Sequence, residues 1–282
     1  MAQITTSGGV SLEYDTFGDA GLPPVLLIQG LGAHLLGWRA EFCRQLADAG
    51  FHVIRFDNRD VGLSQKFPQD GYTLADMADD AAGLLAALGI SAAHVVGQSM
   101  GGMIAQELAL RHPSRVRSLA LIYTAPNLDF LAGRELVENR MDRPRARNRD
   151  EAIALYLDNE APCASPSYAQ DTTWLRELGG QMYDRDYDPD GIQRQLDALD
   201  RSPDRTLRLP RIAVPTTILH GDGDQLIDVA AAKVLHQQIP DSTLTVFPGM
   251  GHELPQPLWT DIVEQLRHNT VRERRGRDDS AH

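Results

Sequence analysis

Short apolar runs and amphipathic segments alternate along the first 125 residues of the chain. The run PVLLIQG at Pro24–Gly30 is apolar almost throughout and ends at glycine, which is typical of a strand buried on both faces. The segment WRAEFCRQLADAG at Trp38–Gly50 has apolar residues at helical spacing and a glycine stop, which predicts a helix. Similar patterns predict further strands at Ser11–Gly18, Phe51–Asp57, Ala93–Gln98 and Val116–Ala125, and further helices at Thr73–Gly89 and Met100–Pro113. Strands separated by helices need crossover connections, so the pattern predicts an α/β fold with a mostly parallel sheet flanked by helices.

The alternation stops after Ala125 and resumes near residue 210. The intervening residues show helical fragments, many charges and no convincing strand. Beyond them the pattern predicts strands at Ile212–Gly221 and Thr243–Gly249, and helices at Val229–Ile239 and from about Leu258 to His268. We therefore expect an α/β core made of residues 1–125 and 210–270, with a helical cap inserted at residues 126–209. The charged residues 271–282 are expected to form a frayed C-terminal tail.

Composition narrows the class of protein. The net charge of −12 argues against a nucleic-acid binder, since proteins that bind the phosphate backbone are usually basic. No apolar run is long enough to span a bilayer, and the N-terminus lacks the basic start and apolar stretch of a signal peptide. The two cysteines form neither a disulfide framework nor a metal motif, which favours reduced thiols in a cytoplasmic protein. No cofactor motif and no metal site are found, and the oligomeric state, a homodimer included, stays open.

The stretch VVGQSMGG, residues 95–102, carries the first chemical signal. Its GQSMG core fits the G-x-S-x-G nucleophile elbow, in which a serine sits on a tight turn between a strand and a helix. The pentapeptide alone is a weak signal for a nucleophile, because chance would produce one such match in about a tenth of chains of this length. Its position, where a predicted buried strand ends and a helix begins, makes Ser99 a candidate nucleophile. Side chains on such a turn would collide with the strand and helix, which explains the flanking glycines.

A serine nucleophile needs a base, and the base needs an orienting acid. His252 lies in the glycine-rich loop PGMGHELP directly after the last predicted strand, where its imidazole can reach over the sheet edge. The other histidines fall in regular elements or near the C-terminus, except His34, which we expect to line the substrate pocket. In LHGDGDQLID, Asp224 stands beyond a tight turn and is the expected acid. Asp222 is expected to bond its own backbone in the turn, and Asp228 to cap the following helix.

The oxyanion of a tetrahedral intermediate requires hydrogen-bond donors. The main-chain N–H of Met100, at the positive end of its helix, is one expected donor. The turn QGLG after the first buried strand is expected to supply the other, from the N–H of Leu31. Trp38 and Gln98 are expected, with His34, to contact the substrate. Met100, Met103, Tyr123, Trp174 and Met182 are further candidates for pocket walls, although core packing is at least as good an interpretation for Met103 and Trp174.

Two charged features favour structural roles. Asp57 and Arg59 lie at a strand end and are expected to form an internal ion pair that holds their loop. The arginine-rich stretch Arg134–Asp150 is interleaved with acids, so a solvated face is a better interpretation than an anion-binding site.

The turn QGLG is followed along the chain by Ser99, Asp224 and His252. With these features in this order, the chain resembles the α/β-hydrolase superfamily over nearly its whole length. The loop FDNRDVGLS at Phe56–Ser64 adds to the resemblance, because a D-x-R-x-x-G-x-S loop recurs in these proteins. Within the superfamily the chain is most similar to bacterial carboxylesterases of the aclacinomycin methylesterase type. It departs from many members at Gln29, which stands where they have histidine before the oxyanion glycine. Dehalogenases and epoxide hydrolases of this superfamily carry aspartate at the elbow, and Ser99 disfavours both activities.

These residues and this resemblance imply hydrolysis of a small to medium carboxylic ester through an acyl-serine intermediate. Cleavage of a carbon–carbon bond, lactone opening and perhydrolysis are alternative uses of the same site, and a non-catalytic ligand receptor is a fourth alternative. The cap has no long apolar face, so an esterase is expected rather than a lipase that acts on aggregated fat.

Overall fold

The computed structural model describes residues 1–69, 71–141 and 143–279. Among these residues eight strands form one sheet in the order β1-β2-β4-β3-β5-β6-β7-β8. The strands are β1 Ala2–Thr5, β2 Ser11–Phe17, β3 Pro24–Ile28, β4 His52–Phe56, β5 Ala93–Gln98, β6 Val116–Ile122, β7 Thr216–Gly221 and β8 Ser242–Phe247. β2 pairs antiparallel with β1 and β4, and every pair from β4 to β8 is parallel. The predicted α/β fold with a mostly parallel sheet is confirmed.

Helices cover both faces of the sheet. They are α1 Ala40–Asp48, α2 Leu74–Ala87, α3 Met100–Arg111, α4 Arg134–Met141, α5 Arg149–Glu160, α6 Thr172–Arg185, α7 Pro189–Arg201, α8 Ala230–Gln238 and α9 Trp259–Asp279. Helices α2, α3 and α8 pack on one face around a core that includes Leu26, Ile104 and Leu235. Helices α1 and α9 pack on the other face, where Phe42 and Ile262 are fully buried or nearly so. The strands between the two layers are therefore apolar on both sides, as their continuous apolar runs indicate.

Four of these helices, α4 to α7, lie between β6 and β7. The structure has no strand in the described part of residues 126–209, which we call the helical segment. The segment is tied to the rest of the chain by buried polar contacts. Gln195 of α7, whose side chain is fully buried, donates from Nε2 to the carbonyl of Arg59 over 2.7 Å.

The two ends of the chain differ from the predicted elements. β1 is absent from the prediction because three of its four residues are exposed and it lacks a regular apolar alternation. Helix α9 runs to Asp279, so residues 271–279 continue a helix that the pattern ends near His268. Residues 280–282 of the expected tail lie outside the described residues. Within the described chain, every helix is too short or too polar to cross a membrane.

Candidate active site

Ser99 stands between β5 and α3 in a strained conformation. Its φ of 54° and ψ of −126° lie where side-chain-bearing residues are rarely found. The surrounding glycines make this turn possible, since an added Cβ on Gly97 would overlap the carbonyl of Gly101. An added Cβ on Gly101 would likewise overlap the carbonyl of Ile28 on β3. The chain therefore presents the Ser99 hydroxyl at the carboxyl end of the sheet, where both neighbouring elements pack too closely for side chains.

The structure brings Ser99, His252 and Asp224 into one hydrogen-bonded line. Ser99 Oγ lies 2.9 Å from His252 Nε2, and His252 Nδ1 lies 2.8 Å from Asp224 Oδ2. An ionised carboxylate only accepts hydrogen bonds, so Nδ1 carries the imidazole proton. Nε2 is then free to accept the hydroxyl proton of Ser99, which is the arrangement that a general base requires.

The side chain of Asp224 is completely buried, and several donors keep it ionised. It accepts hydrogen bonds from the main-chain N–H groups of Leu226 at 2.8 Å and Ile227 at 3.0 Å. Burial on its own would raise the pKa of Asp224, but the electrostatic interaction with His252 and the hydrogen bonds from His220, His252 and Ile227 hold that pKa below its usual range. Asp224 therefore faces the imidazole of His252 as a carboxylate.

His220 is a neighbour of this site that sequence reasoning treated as core. Its side chain is fully buried on β7, with Nε2 3.3 Å from Asp224 Oδ2 and 3.1 Å from the carbonyl of Ile227. Both partners are acceptors, so Nε2 carries the proton and donates to them. The signal was present in the sequence, since His220 precedes Asp224 by four residues at the end of the strand.

The two other aspartates of this loop take different positions. Asp222 accepts the main-chain N–H of Gly249 at 2.5 Å, so the prediction that it bonds its own turn is wrong. Its partner belongs to the neighbouring loop after β8, which the local sequence cannot show. Asp228 is expected to cap α8, but Val229 occupies the N-cap position, and Asp228 accepts the N–H of Ala230 at 2.8 Å from one residue further out.

The turn after β3 lies directly against Ser99. An added Cβ on Gly30 would be 3.2 Å from the Cβ of Ser99, and Ala33 N–H donates to the Gly30 carbonyl over 3.4 Å. Within the described chain, the N–H groups of Leu31 and Met100 donate to no protein acceptor. They are thus available to a ligand. We call the Gly30–Ala33 stretch the oxyanion turn, after the role that the sequence predicts for it.

The helical segment holds the oxyanion turn through Gln195. Oε1 of Gln195 accepts the N–H of Gly32 over 2.9 Å, and Gly32 has a φ of +68° that favours glycine. An added Cβ on Gly32 would meet Ile192 of α7 at 3.0 Å. Sequence reasoning missed Gln195, because its partners Gly32 and Arg59 lie more than a hundred residues earlier in the chain.

A cavity of about 380 Å³ lies between the oxyanion turn and the helical segment. Neither Ser99 nor His252 lines it, so it extends from the turn away from the histidine loop. His34 lines it, as expected, and burial lowers the pKa of His34 to about 4. Its walls combine apolar, aromatic and polar side chains, among them Leu31, Met182, Tyr183 and Ile192.

Several of the residues expected to line the pocket are elsewhere. Trp38 is fully buried and stacks on Phe42 in the core beneath α1 and α9, so a substrate contact is the wrong interpretation. Gln98 is bonded to Gln29 and to the hydroxyl of Tyr123, and it does not line the cavity.

Met100 is 2% exposed, belongs to the core and does not line the cavity. Met103 is also a core residue. Trp174 packs under the guanidinium of Arg39 at 4.4 Å and does not line the cavity.

The expected ion pair between Asp57 and Arg59 does not form. Asp57 is fully buried and pairs with Arg185 of α6 at 2.8 Å, while Arg59 pairs with Asp80 of α2 at 2.6 Å. Asp57 also accepts the N–H of Leu35 at 2.6 Å. Asp57 thus joins the loop after β4 to the helical segment, a role that its distant partner hides from sequence reasoning.

The arginine-rich stretch forms ion pairs with acids of its own segment. Arg147 pairs with Glu151 at 2.7 Å and Arg149 with Asp184 at 3.0 Å, and these four side chains are largely exposed. This pairing favours the solvated-face interpretation over an anion site. In the described part of the chain, no three His, Cys, Asp or Glu side chains are grouped so as to hold a metal ion.

Comparison with known proteins shows which family the chain belongs to. The "Putative carbamate hydrolase RutD" of Variovorax paradoxus is 30% identical over 255 residues, covering 86% of this chain and 89% of that protein. Rhodomycin D methylesterase DauP from a Streptomyces species is 29% identical, and the match covers 95% of this chain and 99% of that protein. The crystal structure of a hydrolase from Pseudomonas aeruginosa superimposes with a TM-score of 0.75 at 27% identity, covering 94% of this chain and 97% of that one. Residues 23–255 match the family described by the alpha/beta hydrolase fold, and the chain belongs to that family.

Proposed function

We propose that this protein hydrolyses carboxylic esters through an acyl-serine intermediate. Ser99 attacks the ester carbonyl while His252 accepts its proton, and the imidazolium then protonates the leaving alcohol. Asp224 fixes the tautomer of His252 and stabilises the imidazolium. A water molecule, activated by the same imidazole, releases the acid from Ser99 in the second half of the reaction.

The hydrogen-bonded line of Ser99, His252 and Asp224 carries this proposal. In support, two N–H groups without protein acceptors in the described chain, those of Leu31 and Met100, flank the serine. Met100 is the first residue of α3, so its N–H lies at the positive end of the helix. Together they would stabilise the negative charge that develops on the carbonyl oxygen.

The helical segment is proposed to act as a cap that sets substrate size. A cavity of about 380 Å³ lies at the lower end of the range for small-molecule pockets. Because Leu31 and Gly32 of the oxyanion turn line this cavity, it would receive the part of a small to medium ester that does not react.

Carbamate hydrolysis is a second candidate, favoured by the name of several relatives. A carbamate presents the same carbonyl to Ser99 and loses its alcohol, which leaves a carbamoyl-serine. Water then releases carbamic acid from Ser99, and this step would be slower than the deacylation of a simple acyl-enzyme. Methyl butyrate and methyl N-ethylcarbamate, which differ only by NH in place of CH₂, separate the two. A kcat/KM at least tenfold higher for the ester supports the first proposal, and the reverse order supports the second.

Ser99→Ala tests the shared mechanism with a chromogenic ester. We expect kcat/KM to fall by about 10⁴-fold or more, with unchanged thermal unfolding, because the nucleophile is lost and packing is kept. Ser91→Ala, a change outside the site, is the matched control and should retain full activity. Retention of more than a few per cent of activity by Ser99→Ala would refute the proposal.

A further inference from the structure

A continuous chain of hydrogen bonds connects Tyr123 to the oxyanion turn. The hydroxyl of Tyr123 donates to Gln98 Oε1 over 2.6 Å. Gln98 Nε2 donates to Gln29 Oε1, which also accepts the N–H of Gly30 at 2.9 Å. The chain therefore begins at Tyr123 and ends on the first residue of the oxyanion turn.

Tyr123 touches the base as well. Its ring centroid lies 4.6 Å from that of His252, with the two planes inclined by 51°. The residue is 4% exposed, and its φ of +35° is unusual for a residue with a side chain. Backbone in this region persists only where the surroundings hold it, and here the N–H of Tyr123 donates to the Leu219 carbonyl over 2.8 Å. Tyr123 is thus fixed between the histidine loop and the oxyanion turn.

The donor and acceptor roles along this chain follow from its chemistry. Burial raises the pKa of Tyr123 well above the ordinary value, so its hydroxyl stays protonated and donates throughout the neutral range. Gln98 accepts at Oε1 and donates at Nε2, which leaves Gln29 Oε1 as a double acceptor. Asn58 Nδ2 donates to the main-chain carbonyl of Gln29 over 3.1 Å and holds the same residue from the other side.

We propose that Tyr123 is a positioning residue that fixes the oxyanion turn through Gln98 and Gln29 while its ring supports His252. Gln29 stands immediately before Gly30, so the orientation of its amide sets the peptide that leads into the N–H of Leu31. This inference rests on the proposed ester hydrolysis. It assigns a role to Gln29, and it gives Gln98 a structural task in place of a substrate contact.

The hydroxyl and the ring have separable effects. Loss of the hydroxyl frees Gln98 to rotate and loosens Gly30, which weakens a contact made only when the oxyanion forms. Such a loss lowers kcat and kcat/KM equally and leaves KM unchanged. The ring remains in Tyr123→Phe, so the pH dependence of the reaction should stay as in the wild type.

A double-mutant cycle tests the chain. Tyr123→Phe and Gln29→Met, which is close in shape to glutamine, should each lower kcat about tenfold. The double variant should lose little more than the worse single variant, because both changes cut one chain. A trifluoromethyl ketone forms an oxyanion on Ser99, and its inhibition constant should rise by the same factor as kcat/KM falls. Tyr72→Phe removes another buried tyrosine hydroxyl and should change none of these values.

Two results would overturn the inference. One is a Tyr123→Phe variant with wild-type kcat and inhibitor affinity, and the other is a double variant whose loss equals the product of the two single losses. Thermal unfolding of each variant shows whether folding is intact, and a misfolded Gln29→Met is replaced in the cycle by Gln29→Leu. The proposed function fails separately, through an active Ser99→Ala, so the two failures can be told apart.

Discussion

Replacing Asp224 by asparagine should disable the enzyme far more than the same change at Asp222. The Asp224 carboxylate is fully buried and faces donors only: His252, His220 and the N–H groups of Leu226 and Ile227. An asparagine keeps one acceptor oxygen but turns an NH₂ group toward some of these donors. The imidazole of His252 then loses the acceptor that keeps its proton on Nδ1, and the wrong tautomer presents N–H to Ser99.

The expected magnitudes follow from these contacts. For a serine–histidine–aspartate site, loss of the tautomer control lowers kcat by on the order of 10⁴-fold. Each buried donor left without an acceptor costs about 1–3 kcal/mol, so Asp224→Asn should also lower the free energy of unfolding by a few kcal/mol. Asp222 accepts one N–H from Gly249, and an asparagine oxygen can still accept it. Asp222→Asn should therefore lose no more than about tenfold, since it exchanges a charge-assisted hydrogen bond for a neutral one.

The assay is kcat/KM for a p-nitrophenyl ester at one fixed pH, with chemical denaturation of each variant as the folding control. Asp224→Glu serves as a further comparison, because it keeps the charge and displaces the oxygens by one methylene. A reversed order, with Asp222→Asn the more damaging change, would refute the assignment of Asp224 as the acid.

Three further outcomes are expected from the structure. Burial lowers the pKa of His34 from 6.5 to about 4, so the fold keeps this imidazole neutral. The free energy of unfolding should therefore fall by up to about 3 kcal/mol as pH decreases from 6.5 to 4, and His34→Gln should flatten that slope. Arg185→Met leaves the Asp57 charge buried and unpaired, and should destabilise the protein by about 3–5 kcal/mol in denaturant titrations. Arg147→Met removes one member of an exposed pair and should leave the unfolding midpoint nearly unchanged. In a p-nitrophenyl ester series, kcat/KM should peak at short to medium acyl length, because added methylenes gain about 0.8 kcal/mol each only until the cavity is full. Strong activation at a lipid–water interface would contradict the proposed role of the helical segment as a cap.

The sequence was most informative where local pattern determines position. Ser99, Asp224 and His252 each follow a strand of the parallel part of the sheet, and the carboxyl ends of such strands meet at one edge. A strand pattern ended by a glycine-rich turn therefore predicts both the location and the accessibility of a side chain. For this reason the sequence pattern alone could group three residues that are separated by up to 153 positions.

Partners across the fold could not be predicted in the same way. Trp38 has the apolar character of a pocket wall, but the face of the sheet to which its loop turns is set by packing against Phe42 and α9. Asp57 and Gln195 each have a partner on the other side of the boundary between the core and the helical segment. Asp57 pairs with Arg185 of that segment, and Gln195 of that segment bonds Gly32 of the core. The weak periodicity of that segment left its contacts undetermined.

The strained backbone of Tyr123 also lies beyond sequence pattern. Nothing in VRSLALIYTA distinguishes this tyrosine from a strand residue, yet the structure gives it a positive φ and places it on His252. Strain of this kind depends on tertiary contacts that hold the residue, so it becomes visible only in the folded chain.

Covalent labelling of the serine shows whether Ser99 is the nucleophile. The protein is treated with a p-nitrophenyl alkylphosphonate, and the adduct is counted by intact mass and located by peptide mapping. We expect one adduct per chain, on Ser99, formed in step with the loss of esterase activity and formed very slowly in His252→Ala. Activity that survives complete labelling of Ser99, or an inactivating adduct on another residue with Ser99 unmodified, would contradict the assignment of Ser99 as the nucleophile.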